Sequence, residues 1–197
     1  VEFWTGALIV VVATGAYTVF GGLRAVLYTD LIQTFVLIGG SLAVTLLGLS
    51  AIGGWSGLAE GVPDGFLSMW KPMTDPDFPW TGILFGAPIL GVWYWCTDQF
   101  IVQRTLSAKN IDEARRGTIF AGILKLLPLI LFVLPGLIAY VLTQNGTITL
   151  ADENEALPTL VAALLPAGLR GLVSAGLLAA LMSSLSSVFN SCSTLIT

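Results

Sequence analysis

Residues 177–197 read LLAALMSSLSSVFNSCSTLIT. The run is apolar enough to lie in a bilayer, yet Ser183, Ser187, Asn190 and Thr194 recur at spacings of four, three and four. Those spacings put the polar groups on one face of a single helix. Ser184 and Ser191 flank the stripe. Two readings are open. Small residues let membrane helices approach closely, and their hydroxyls hydrogen-bond across the contact. The same oxygens would also line a path for a cation or a polar solute.

The rest of the chain shares this character. Of its 197 residues 55% are hydrophobic and only 10% charged, where a soluble domain carries about a quarter charged residues. Apolar runs long enough to cross a hydrocarbon core, about 20 helical residues, fall at about 3–20, 30–52, 81–101, 117–142 and 169–197. The expectation is an all-α integral membrane protein, in one membrane domain over residues 1–197. The run begins almost inside one helix and stops inside another, as an internal portion of a longer membrane protein would. A net charge of −4 offers no basic patch for nucleic acid, and the chain has no histidine. Cys96 and Cys192 fall inside apolar runs and read as reduced, buried small residues rather than a disulfide framework.

Glycine and proline punctuate the spans. Gly21-Gly22 and Gly53-Gly54 read as helix stops. Gly86, Pro88 and Gly91 interrupt the first half of the third span. The connections at 21–29 and 102–116 carry Arg24, Arg104, Lys109, Arg115 and Arg116, whereas those at 55–80 and 143–168 carry only Lys71, with Arg170 at the edge of the fifth span. Five cations against two place the first pair of connections in the cytoplasm and the second pair outside.

Three charged residues invite chemistry. Lys125 sits roughly 12 Å into the fourth span at the helical rise. A charge at that depth either faces a cavity or a partner or snorkels to the interface on its long stem. Asp98 and Gln99 follow the aromatic run Trp93-Tyr94-Trp95 in the interrupted span. Broken helices in transporters aim exposed backbone at substrates, and aromatic rings beside polar groups suit a sugar. The plainer reading makes the tryptophans interfacial anchors and pairs Asp98 with a cytoplasmic arginine. Asp30 opens the second span, either as an ordinary helix-start acid or as part of a cation exit path.

Three runs carry a resemblance. YTVFGGLRAVLYTD (17–30), WYWCTDQFIVQRTLS (93–107) and ALMSSLSSVFNSCSTLIT (180–197) are similar to the sodium/solute symporter family, close to its sodium–glucose cotransporters. The resemblance implies a LeuT-type inverted-repeat transporter, multi-pass in the plasma membrane, of which this chain holds core helices four to eight. It implies a sodium site at the backbone carbonyl of Ala180 and the hydroxyls of Ser183 and Ser184. For solute it implies Tyr94 as the gate under the ring, with Trp95 and Lys125 as contacts and Asp98 near the same pocket. A second sodium, or its exit path, would use Ser186, Ser187 and Asp30. Gly91 departs from the pattern, since vertebrate glucose transporters with the same aromatic run carry a sugar-contacting threonine there.

The function implied is sodium-coupled symport of a glucose- or galactose-like hexose by alternating access, without covalent chemistry. Symport of inositol or another polyol, and a sugar sensor that signals without accumulating solute, are the alternatives. Sodium, a small sugar or polyol and the bilayer are the partners.

Overall fold

The computed structural model describes residues 3–196. Val1, Glu2 and Thr197, the last residue of the expected fifth span, lie outside them. The regular elements are helices: α1 (Phe3–Ala51), α2 (Gly54–Gly61), α3 (Trp80–Val92), α4 (Gln99–Leu106), α5 (Ile111–Leu124), α6 (Leu134–Gln144), α7 (Ala156–Leu164) and α8 (Ala167–Ile196). Two π-helical turns, Trp93–Thr97 and Leu129–Val133, join α3 to α4 and precede α6. Four helical segments among the described residues are long and apolar enough to cross a membrane: Trp4–Gly22, Val26–Ala51, Ile111–Gln144 and Ala167–Ile196. The chain divides into two compact units, Val1–Gly61 with Leu126–Thr197, and Val62–Lys125.

The first unit is built on α1 and α8. A straight helix the length of α1 would run roughly 70 Å, more than twice a hydrocarbon core. The chain breaks it at Gly22, whose φ of 57° and ψ of −167° leave the helical region. An L side chain resists that conformation, so the Gly-Gly pair is where the turn is made. Residues 23–29 are helical again.

Lipid tails are as apolar as leucine, so membrane helices associate by close packing rather than by hydrophobic burial. The chain meets this with glycine. A Cβ on Gly40 would stand 2.6 Å from a Val173 methyl, and one on Gly176 would stand 2.9 Å from a Val36 methyl. Each helix thus gives up a side chain where the other presents a valine. Gly48 and Gly61 do the same for Ile138 and Val141 of α6. Thr14, Ser41 and Thr45 of α1 are buried, as are Ser186, Ser187 and Ser191 of α8. Part of the serine stripe therefore serves helix packing.

The second unit starts with an exposed loop. Trp70 and Trp80 stack across its base with centroids 5.9 Å apart and planes 11° apart. The Trp80 N–H donates to the Lys71 carbonyl at 3.3 Å. At the tip, the backbone N–H groups of Phe78 and Asp77 donate to the Asp75 carboxylate and hold it below the usual carboxylate range. α3 follows and runs straight through Pro88. The interruption expected at Gly86, Pro88 and Gly91 comes only at Trp93–Asp98. Asn110 caps α5, its side chain accepting from the Glu113 N–H at 2.9 Å.

One expectation is corrected. Cys96 and Cys192 are free but exposed, not buried. An apolar residue on a membrane helix needs an apolar surrounding, and lipid supplies it as well as the chain's own core does.

The glycine contacts make a prediction. Gly40→Ala should destabilise the protein by about 1–3 kcal/mol, because a stiff valine must move. Gly40→Ala with Val173→Ala should recover most of the loss. Thermal unfolding in detergent checks this, and equal melting of both variants would refute the contact.

Candidate functional site

The aromatic run lies where the helix is broken. α3 passes into the π-helical turn Trp93–Thr97, and the backbone at Asp98 is extended, with φ −72° and ψ 108°. The Asp98 N–H donates to the Trp93 carbonyl at 3.0 Å. The Asp98 carboxylate accepts from the Phe100 N–H at 3.1 Å and caps α4. Sequence read this acid as a pocket group or an ion-pair partner. In the structure it acts as a helix start, the common use of an aspartate at such a position.

The π-helical turn widens the spacing of side chains, and π turns recur at functional sites. Here it sets Tyr94 against Trp95 edge to face, with centroids 5.3 Å apart and planes 81° apart. Lys125 closes α5 as its C-cap residue. Its ammonium stands 3.9 Å from the Tyr94 ring centroid. A cation over an aromatic face at that distance is a favourable contact, so Lys125 reaches toward the aromatic run rather than away from it.

Two hollows adjoin this pair. One, of about 370 Å³, is lined by Gly91, Trp93, Tyr94, Trp95, Gly122 and Lys125, with Ala87 and Leu90. The other, of about 330 Å³, shares Tyr94, Trp95 and Lys125 and adds Arg104, Thr105, Glu113 and Thr118. Of the residues expected to hold solute, the structure gathers Gly91, Tyr94, Trp95 and Lys125. Asp98 lines neither hollow. Sequence missed Gly122, Arg104 and Thr118. Gly122 and Thr118 precede Lys125 by three and seven residues, a helical face that was there to be read.

The first unit holds the second candidate site. The Ser183 hydroxyl donates to the Asp30 carboxylate, tying α8 to α1. Ser186 donates to the Ser183 carbonyl at 2.9 Å, and Ser191 donates to the Ser187 carbonyl at 2.9 Å. Ser186 and Ser187 are 0% exposed. A hydroxyl that donates back along its own helix keeps its lone pairs as acceptors. Around Ser183 the chain thus brings together the Asp30 carboxylate and the Ser186 hydroxyl, oxygens of the kind a hard cation takes. Ala180 is half-buried and Ser184 exposed. They lie one turn apart, Ser184 about 100° and Ala180 about 60° around the helix from Ser183. The structure thus joins Asp30 to Ser183 and leaves Ser184 turned away from them. Tyr17, which the sequence did not single out, donates from its hydroxyl to the Met182 carbonyl at 3.2 Å. No cluster of three His, Cys, Asp or Glu side chains is present among the described residues.

The model of the Sodium:solute symporter family matches residues 1–197. The sodium/mannose cotransporter of Bos taurus is 42% identical, over 100% of this chain and 38% of its own length. The sodium/myo-inositol cotransporter 2 of Sus scrofa is 43% identical, over 93% of this chain and 32% of its own. The sodium/glucose cotransporter 1 of Sus scrofa is 39% identical, over 100% and 35%. The chain spans about a third of the length of the curated relatives it matches. Its fold is all-helical and multi-pass in the membrane, and the chain belongs to the sodium:solute symporter family.

Proposed function

We propose that this chain forms the solute- and sodium-handling part of a symporter. Sodium moving down its gradient drives a sugar or polyol across the plasma membrane. The observation that carries this reading is the Lys125 ammonium over the Tyr94 ring, at a helix break beside Trp95. Aromatic faces take the C–H surface of a sugar ring, and an ammonium donates to its hydroxyls. Tyr94 serves as gate, with Trp95, Lys125 and the space at Gly91 as the remaining contacts. Asp98 acts through the backbone, holding the start of α4.

Sodium takes its ligands from α8. The Ala180 carbonyl and the Ser183 and Ser184 hydroxyls form one site, completed by a helix outside this chain. Ser184, exposed here, faces that helix. Ser186, Ser187 and Asp30 supply a second sodium site or its exit path, which the Asp30–Ser183 contact favours. The five apolar runs of the sequence, the third of them broken at Trp93–Asp98, are core helices four to eight of a LeuT-type inverted repeat, cycling by alternating access. No bond in the solute is made or broken. The inositol cotransporter among the relatives, together with glycine at position 91, keeps polyols beside hexoses as cargo.

The direct test is sodium-dependent uptake of labelled glucose, mannose and myo-inositol into vesicles carrying the full-length protein. Uptake of all three that ignores sodium would refute symport. Sugar binding with sodium currents but no accumulation would favour a sensor.

Two substitutions separate the sites. Ser184→Ala loses one ligand oxygen, worth about 1–3 kcal/mol, and should raise half-saturating sodium about 5- to 150-fold. An unchanged sodium dependence at normal expression removes Ser184 from the site.

Lys125→Ala should weaken solute affinity about 10- to 150-fold, since a hydrogen bond to a charged group is worth about 1.5–3 kcal/mol. Lys125→Arg should also impair it, because a planar guanidinium does not replace a compact ammonium. Sodium affinity should move less, through linkage alone. Wild-type solute affinity in both variants would mean that Lys125 only snorkels.

A further inference from the structure

We infer that the groove between α4 and α5 seats an anionic phospholipid, its headgroup on the Arg115 guanidinium and an acyl chain along Ile119 and Ile123. The inference takes the α4–α5 end to lie at a membrane surface. It does not depend on the solute and sodium readings.

α5 changes character along its length. Residues 111–116, IDEARR, hold two acids and two arginines, while residues 117–124, GTIFAGIL, carry no charge. A helix written this way passes from the headgroup layer into hydrocarbon near Gly117. Ile111, Arg115, Ile119 and Ile123 recur every four residues and so share one face. The three isoleucines are mostly exposed. One cation thus stands within an apolar stripe, at the level where headgroups lie.

A groove of about 370 Å³ follows that face, lined by Thr105 of α4 and by Ile111, Ala114, Arg115, Thr118 and Ile119 of α5. Its lining holds one cation and no acid. The neighbouring cations are differently engaged. Arg116 pairs with Glu113 at 3.9 Å, and Arg104 stands 5.1 Å from the Phe100 ring centroid. Arg115 has no ion-pair partner among the described residues. A guanidinium takes a phosphate through two parallel hydrogen bonds, and basic pockets between membrane helices bind lipid headgroups in this way. Phosphatidylcholine carries its own cation beside the phosphate, so a lone arginine favours a headgroup of net negative charge. A free phosphate would use Arg115 but leave the isoleucines bare. The apolar wall assigns the site to a lipid.

The test is photolabelling of the full-length protein in phosphatidylcholine nanodiscs. Each preparation holds a trace of phosphatidylglycerol or phosphatidylcholine with a photoreactive acyl chain, and adducts are mapped by mass spectrometry. Labelling of residues 111–123 is normalised to that of residues 171–196 on α8, which carry no charge. Both leaflets share one composition, so the result does not depend on which side the α4–α5 end faces. One cation at an anionic surface is worth about fivefold, and wild type should prefer phosphatidylglycerol by about that factor at 111–123. Arg115→Gln should bring the two lipids to within about twofold of each other, and Arg116→Gln should keep the preference. Ala114→Leu fills the groove and should reduce labelling by both lipids.

The wild-type comparison decides alone should a variant express poorly. Equal labelling by the two lipids in wild type overturns the inference. A loss in Arg116→Gln that matches Arg115→Gln would reduce the effect to diffuse surface charge and overturns it too. Unlabelled 111–123 beside labelled 171–196 would mean that another part of the full-length protein covers the groove, which also overturns it, as does undiminished labelling in Ala114→Leu.

Discussion

Inside a bilayer, a backbone amide or carbonyl released from its helix must find a partner in the protein, because the hydrocarbon offers none. Among the described residues, three breaks within long helical stretches answer this constraint differently. At Gly22 the break is a single residue and the helix resumes. At Trp93–Asp98 the π-helical turn keeps its own N–H···O contact and the Asp98 carboxylate takes up the N–H of Phe100, the second residue of α4. Past Pro128 the ladder loosens again over Leu129–Val133, and the Thr45 hydroxyl lies 3.2 Å from the Ile130 carbonyl and 2.8 Å from that of Ser41. One threonine thus serves both its own helix and a disturbed stretch of another.

The constraint also explains what could be read in advance. Hydropathy located four long apolar segments, because helix length is tied to bilayer thickness, while the expected run at 81–101 is split between α3 and α4. The Gly21-Gly22 stop was legible because only glycine adopts the required φ. The break in the third span was expected at Pro88 and came at Trp93. Proline removes one hydrogen bond from a helix but need not end it, whereas an aspartate that captures an N–H starts a new one. Asp98 was accordingly visible as important and misread in role. Periodicity placed Ser183 and Ser187 on one face, yet it said nothing about Asp30 reaching Ser183 from 153 residues away in the sequence. Spacing within one helix reports its own faces and is silent on which neighbour they meet. Tyr17 was overlooked for the same reason: a lone tyrosine in an apolar run carries no local signal.

The helical glycines fall into two kinds by what surrounds them. At Gly40 and Gly176 the missing side chain is filled by a valine from the facing helix. At Gly39, Gly86, Gly91, Gly117, Gly122 and Gly136 nothing among the described residues comes within 4 Å of it. Composition alone, 22 glycines among 197 residues, cannot separate these classes. Helix propensity is equally sacrificed in both, and only the surroundings tell a tight contact from an open face.

The stacked Trp70 and Trp80, with the hydrogen bond between Lys71 and Trp80, close the loop they bracket at its base. Segments beyond such a clasp are decoupled from what lies below it. Loop-closure entropy grows only logarithmically, about 0.6 kcal/mol per doubling of length. The stretch from Pro72 to Phe78 is therefore free to lengthen, shorten or carry a grafted epitope while the start of α3 stays fixed. It is the natural place on this unit for sequence to drift, and for an antibody or fluorophore to be attached without touching the membrane-embedded helices.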